Sequence, residues 1–246
     1  MIQVVTVIDT SFDVRQDAGS GDPDTTSPTL REYHRLLWSK PLPSGKVFTL
    51  DTSRRRRYLY HRSDVGEFFL ASDTVVPTWR TWLKMSKIVA DIPETVLDEF
   101  QLANHTIGGM MIFPGDRRPG VQTINGARGF SSQIADRFDY TLECIRRHYR
   151  GETSPLATVL NAYSDFFALF ENFRGYTEFF LLQDLVTEEQ QVRMFTRFDD
   201  FKASPLPQSV EDYLSYRDRA IEFIGARNQR IRAWSRAGLV DPAPST

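Results

Sequence analysis

The chain has 246 residues, 41% hydrophobic and 13% aromatic, enough for a sizeable core, and one large domain over residues 1–246 is expected. A net charge of −2 gives no global push toward nucleic acid or a membrane surface, and no run approaches the ~20 apolar residues that a membrane helix needs. The single cysteine, Cys144, excludes an intramolecular disulfide and, with an N-terminus that is not a signal peptide, points to the reducing cytoplasm.

In chain order, the β-branched run at 4–8 predicts a short strand. Residues 9–28 predict a long Asp/Gly-rich loop, whose carboxylates Asp9, Asp13, Asp17, Asp22 and Asp24 either cap helices or hold a divalent cation. Leu30, Tyr33, His34 and Leu37 fall at helical spacing. Strands are expected at 47–50, 58–62 and 68–71. The first two flank Arg54–Arg57, a solvated hairpin tip or a phosphate-binding patch. Helices over 79–89 and 93–102 precede a strand over 107–113, where Gly108 and Gly109 permit close backbone approach. Residues 121–124 read as that strand's hairpin partner.

From there the pattern turns helical. Ile134, Phe138, Leu142, Ile145 and Tyr149 make an apolar stripe over 131–149. Ser154 and Pro155 predict the start of a helix carrying Leu156 to Phe170. A very apolar helix over 176–186, a strand-like 192–198, a long helix over 209–236 and a frayed tail at 238–246 complete the chain. Strands grouped first and helices later predict an α+β fold, a strand-rich N-terminal half packed against a helical C-terminal half.

The chain lacks GxGxxG, P-loop, HExxH, CxxC and GxSxG motifs, and its 4 histidines are scattered, so no metal site is assigned. The most informative phrase is Thr123-Ile124-Asn125-Gly126-Ala127-Arg128-Gly129. Read as a loop between a strand and a helix N-terminus, it is an anion site. Gly126 and Gly129 let a ligand approach, Asn125 donates and accepts, and Arg128 offers a bidentate fork. A tight turn whose arginine pairs with a nearby acid accounts for the same residues. On the following helix, Asp139, Glu143 and Arg147 share one face at i, i+4, i+8, with Asp136 and Tyr140 beside them. They form a salt-bridge ladder or the acid/base wall of a pocket. His61 and Asp73 lie on neighbouring strands, where they would meet as a second acid/base pair. Asn161, Asp165, Glu178 and Asp184 on apolar helices read as core hydrogen-bond networks.

The phrases Asp9–Arg15, Leu37–Pro43, Thr123–Gly129 and Asp136–Asp139 resemble an uncharacterised bacterial family, a domain of unknown function, over nearly the whole chain. The resemblance implies a free-standing bacterial protein and transfers no catalytic residue. Tyr60-His61-Arg62-Ser63 is also similar to the histidine strand of ADP-ribosyltransferases. That resemblance implies NAD as substrate and a histidine on its ribose, although Arg62 stands where a glycine commonly follows and no catalytic glutamate can be placed.

The leading expectation is a protein that handles a phosphate-bearing small molecule or nucleic acid, of a toxin or phage-defence kind. Asn125, Gly126, Arg128, Gly129 and Arg137 would bind, and Asp139, Glu143, His61 and Asp73 would do acid/base work. Its cofactor is undetermined, with a divalent metal ion or NAD as the candidates. No membrane partner is expected. The other readings are an NAD-dependent ADP-ribosyltransferase and a non-catalytic module that meets a protein partner or a second copy through aromatic helices, notably Phe166, Phe167, Phe170, Phe179 and Phe180.

Overall fold

Capping residues set the first helices. Asp22 accepts the N–H of Asp24 and starts α1 (Pro23–Thr26), with Pro23 in the first turn. Ser27 accepts the N–H of Leu30 and starts α2 (Pro28–Trp38) in the same way. The computed structural model describes residues 8–52 and 58–240. The expected strand at 4–8, apart from Ile8, the Arg54–Arg57 cluster and the last residues of the tail lie outside them.

The expected loop over 9–28 is folded, and its acids are the reason. Asp13 caps a 3-10 turn (Val14–Gln16) and clamps Arg15. Asp17 accepts from the Ser27 hydroxyl and from Thr29 N–H at 2.9 Å, and Asp9 accepts from Ser11. Asp24 is the exception, because its carboxyl leaves its own segment.

Two antiparallel sheets follow. The smaller pairs β1 (Lys40–Pro41) with β2 (Val47–Phe48). The larger has the order β3 (Leu59–Ser63), β4 (Gly66–Thr74), β5 (Met110–Pro114). Its register sets His61 opposite Phe68, Ser72 opposite Ile112 and Asp73 opposite Met111. Every residue of β5 is buried, so the sheet is covered on both sides of that strand.

Helices α3 (Ser86–Ala90), α4 (Glu94–Asn104), α5 (Ile124–Phe130), α6 (Phe138–Tyr149), α7 (Ala157–Ala162), α8 (Ser164–Ala168), α9 (Phe173–Phe179) and α10 (Val210–Val240) account for the rest, and the fold is α+β. Several expected boundaries move. The helix expected from 79 starts late, because Trp79 sits at φ 49°. Residues 107–109 form a 3-10 turn before β5, and Thr123 caps α5 where a hairpin partner was expected. Residues 131–137 are not helical, since Ala135 and Asp136 take φ 46° and 65°. The expected 154–170 helix breaks at Tyr163 into α7 and α8. Helix α9 starts earlier than expected, at its cap Asn172, and stops before Leu181, at φ 55°. Of the strand-like 192–198, only an isolated bridge from Val192 to Val186 forms. The final helix runs on to Val240.

Gly108 and Gly109 do permit close approach. A Cβ on Gly108 would lie 2.5 Å from the Asn228 side-chain oxygen, and one on Gly109 would lie 2.3 Å from the Asn104 carbonyl oxygen. Deep in the core, the fully buried Arg227 of α10 donates to the carbonyls of Gly108, Met110 and Phe180 at 3.0, 2.6 and 3.1 Å, tying α10 to β5 and to the end of α9. Among the described residues, no helix is long and apolar enough to cross a membrane.

Candidate functional site: a carboxylate junction around Arg128

The phrase Thr123–Gly129 is not an open loop. Thr123 accepts the N–H of Gly126, and the segment coils into α5. Neither Gly126 nor Gly129 has a positive φ, so neither is needed for an unusual turn. The Asn125 side-chain oxygen is buried without a hydrogen-bond partner among the described residues. Arg128, expected to face a ligand, points inward and is fully buried. Its Nε donates to the Thr141 hydroxyl at 3.0 Å, its Nη1 to Asp73 at 3.1 Å, and its Nη2 to the Asp136 carbonyl at 3.0 Å. The Asp136 carboxylate lies 3.2 Å from Nη2, and the guanidinium sits over the Phe113 ring. The fork is thus committed within the protein, and the expected anion cradle is occupied by the chain's own acids.

The backbone is bent to achieve this. Ala135 and Asp136, both left-handed, turn the chain between α5 and α6 so that the Asp136 carbonyl and carboxylate both reach back to Arg128. The Trp79 indole N–H, from another left-handed residue, donates to Ala135 O at 3.2 Å and holds the turn. Three non-glycine residues in a costly conformation at one junction need support from the surrounding packing.

A third acid joins from α1. Asp24 accepts from the Ser72 hydroxyl, at 3.4 Å. Ser72 in turn meets Nε2 of the buried His34 at 2.9 Å, and the Trp38 indole N–H donates to the other ring nitrogen of His34 at 3.0 Å. Because Nδ1 is an acceptor, Nε2 carries the hydrogen and donates to Ser72, which directs the Ser72 proton toward Asp24. Burial holds the His34 imidazole neutral, down at about 3.

Asp24, Asp73 and Asp136 therefore gather round one arginine. Burial first, then the charges of Asp73 and Asp22, push the Asp24 carboxyl up to about 8. Burial and the Asp136 charge hold Asp73 up at about 7, against the pull of Arg128. Burial raises Asp136 as well. The cluster is not sealed: the Asp73 and Asp136 side chains are 24% and 23% exposed. Carboxyls that change charge near neutral pH, within reach of solvent, can exchange protons with a ligand.

One consequence can be measured on stability alone. A carboxyl whose folded value lies above its unfolded value contributes stability that is complete below about pH 4 and is lost as pH rises through the folded value. For Asp24 the loss falls between about pH 4 and pH 8. Asp24→Asn should therefore melt above the parent at pH 9 and close to it at pH 4. A variant that melts lower than the parent at pH 9 would contradict this.

The other expected site residues lie elsewhere. His61 does not meet Asp73. Antiparallel pairing sets it opposite Phe68, its Nδ1 hydrogen-bonds to the Thr49 carbonyl and its Nε2 to the Ser63 hydroxyl, both at 2.9 Å. The ring stacks 4.0 Å from Phe48, so no ring nitrogen is open to a ribose. Arg137 and Asp139 form a buried bidentate pair, and Asp139 also accepts from Phe195 N–H at 2.9 Å. Glu143 is shared by Arg146 and Arg147, with Arg147 reaching on to Asp200, so the expected ladder forms between Glu143 and Arg147 while Asp139 stands outside it. Asn161, Asp165, Glu178 and Asp184 do not form the expected core networks: none is buried, and Asp165 pairs with Arg118, Asp184 with Arg230 and Asn161 with His148. Phe166, Phe167, Phe170, Phe179 and Phe180 are at most 4% exposed, so the core consumes the aromatic face expected for a partner. Burial pushes the Cys144 thiol up to about 12, consistent with inert packing. Among the described residues, no group of three or more His, Cys, Asp or Glu is arranged to hold a metal ion.

Sequence reasoning singled out Arg128 and Asp73 but missed Asp24, Ser72, His34 and Asp136 as their neighbours. A weak signal existed in Asp24, an acid inside a helix whose cap was already supplied by Asp22.

The model of a family of unknown function (DUF6994) matches residues 8–231. The chain belongs to this family. The match runs from Ile8 into α10 and so includes every element that builds the carboxylate junction. No curated protein and no solved structure matches the chain.

Proposed function

We propose that the protein is an acid–base enzyme that works through Asp24 and Asp73 on a polar small molecule. The observation that supports this is the pair itself. Two carboxyls from different elements, α1 and β4, lie within each other's field near a committed arginine and are raised to neutral pH and just above it, Asp24 to about 8 and Asp73 to about 7. At pH 7 the first is mostly a proton donor and the second is divided between donor and acceptor. Separated affinities of this kind suit a general acid and a general base. With Arg128 neutralised, the junction favours an uncharged or cationic group over an anion.

A phosphate-bearing ligand finds support at a second place. Arg193 and Arg219 line a cavity of about 470 Å³ beside Gln183 and Phe195, with Asp184 and Glu222 also in its wall. Arg193 donates to Val186 O at 3.2 Å and Arg219 to Met194 O at 3.4 Å, and neither has a carboxylate partner among the described residues. A nucleotide or sugar phosphate would place its anion there.

A thermal-shift screen against nucleotides, NAD, sugar phosphates, sugars, amines and divalent ions separates the two readings. A ligand present at ~100 times its Kd adds roughly 2.7 kcal/mol of stability. On the first reading the shift disappears in both Asp24→Asn and Asp73→Asn. On the second it disappears in Arg193→Ala or Arg219→Ala. A shift unaffected by Asp24→Asn and Asp73→Asn would sink the carboxyl assignment.

A further inference from the structure

The phrase Leu37–Pro43 contains a lysine in an unusual setting. Lys40, in β1, extends its amine over three rings: Phe179 of α9 at 4.7 Å, Trp38 of α2 at 5.1 Å and Trp234 of α10 at 5.4 Å. It has no hydrogen bond and no carboxylate partner among the described residues. Lysines without an ion pair usually extend into water. This one lines a cavity of about 450 Å³ together with Pro41, Pro43, Asn172, Gly175 and Phe179.

We propose that Lys40 is a nucleophilic amine that captures a carbonyl-bearing small molecule, an aldehyde or ketone, as an imine in the cavity between β1 and α9. The free amine's lone pair attacks the carbonyl carbon and forms the C–N bond. Proton transfer gives a carbinolamine, whose hydroxyl leaves as water to form C=N. No oxidant, reductant or second reactant is needed, and water reverses the step.

Two features supply the reactive amine. Burial, with the Arg227 charge adding to it, lowers the Lys40 ammonium to about 7. The ring faces favour the cation and pull the other way, so the neutral fraction at pH 7 stays below half but well above the one in about 2,500 of an ordinary lysine near 10.4. The charged groups around the site are Arg227 from α10, Arg174 and Glu178 from α9, and Glu171 just before it. The two glutamates line the cavity, but neither forms an ion pair with the amine. This site is separate from the carboxylate junction and does not rest on it.

The remaining lysines, Lys46, Lys84, Lys87 and Lys202, serve as internal controls. The full chain is incubated at pH 7 with glyceraldehyde, and separately with pyruvate, each with cyanoborohydride to fix the imine, and adducts are mapped by peptide mass. At least one probe should modify Lys40 at least tenfold faster than any other lysine, with a rate that saturates as its concentration rises. Lys40→Arg, which keeps the cation over the rings, should lose the fast adduct and melt near the parent. Lys40 reacting no faster than the other four with both probes would overturn the proposal, as would a fast rate that stays linear in probe, which would mark a reactive amine without a binding cavity.

Discussion

Arg128→Ala should cost about 3–5 kcal/mol of stability, the range for removing one partner of a buried ion pair. Three losses coincide. Asp73 and Asp136 lose the charge that offsets their burial, the Asp136 and Thr74 carbonyls and the Thr141 hydroxyl lose their donor, and the fully buried side chain leaves a hole against Phe113. For a chain of this size about 1 kcal/mol moves the melting point by roughly 2–4 °C, so a fall of about 6–20 °C is expected. The loss depends on pH in a defined direction. Arg128 holds down Asp73 and Asp136, so its removal raises both further, and carboxyls raised above their unfolded value weaken the fold as pH increases. The deficit should be largest at pH 8 and smaller at pH 5. Arg128→Lys should recover part of it, restoring charge without the planar fork. If Arg128→Ala melted within 2 °C of the parent at pH 8, the side chain would be held for a ligand and not for the fold.

The second large effect is expected at Asp139→Ala. Arg137 is 1% exposed and commits its Nε and Nη2 to Asp139, while its Nη1 serves Thr196 and Pro205. Its guanidinium also lies 4.0 Å from the centre of the Tyr140 ring. Removing the carboxylate leaves a buried cation unpaired and strips the Phe195 N–H of its acceptor, again about 3–5 kcal/mol. Asp139→Asn should lose less, since an amide oxygen can still accept. The double variant Arg137→Met with Asp139→Leu should recover most of the loss, because an apolar pair of similar volume avoids the desolvation of both ions. Equilibrium urea unfolding of the four proteins checks this. A double variant as unstable as Asp139→Ala would show that the hydrogen bonds to Thr196, Pro205 and Phe195 matter more than the charges.

The phrase Thr123–Gly129 reads as an anion site for a sound reason, since an arginine among glycines at a helix start is how anion sites are built. What it could not reveal was burial. Once Thr123 caps α5, Arg128 turns toward β4 and α6, and the acids that saturate it come from 55 residues away at Asp73 and from the next turn at Asp136. The His61–Asp73 pairing failed on register. Neighbouring strands do carry the two residues, but antiparallel pairing sets Phe68, not Asp73, beside His61.

The sequence by itself determined the α+β class, the central strands, helices α2, α4 and α10, and the Glu143 to Arg147 ladder. Those features rest on periodicity, capping and charge spacing, which act within a few residues of chain. It also determined that no intramolecular disulfide forms, since Cys144 is the single cysteine. Only the tertiary structure decided which polar groups met. Asp24 finds Ser72 across 48 residues, and Lys40 finds Trp234 and Phe179 from two separate helices. The reason is physical: a shift in a carboxyl or an amine comes from the water it has lost and the charges brought beside it, and both depend on how distant segments pack.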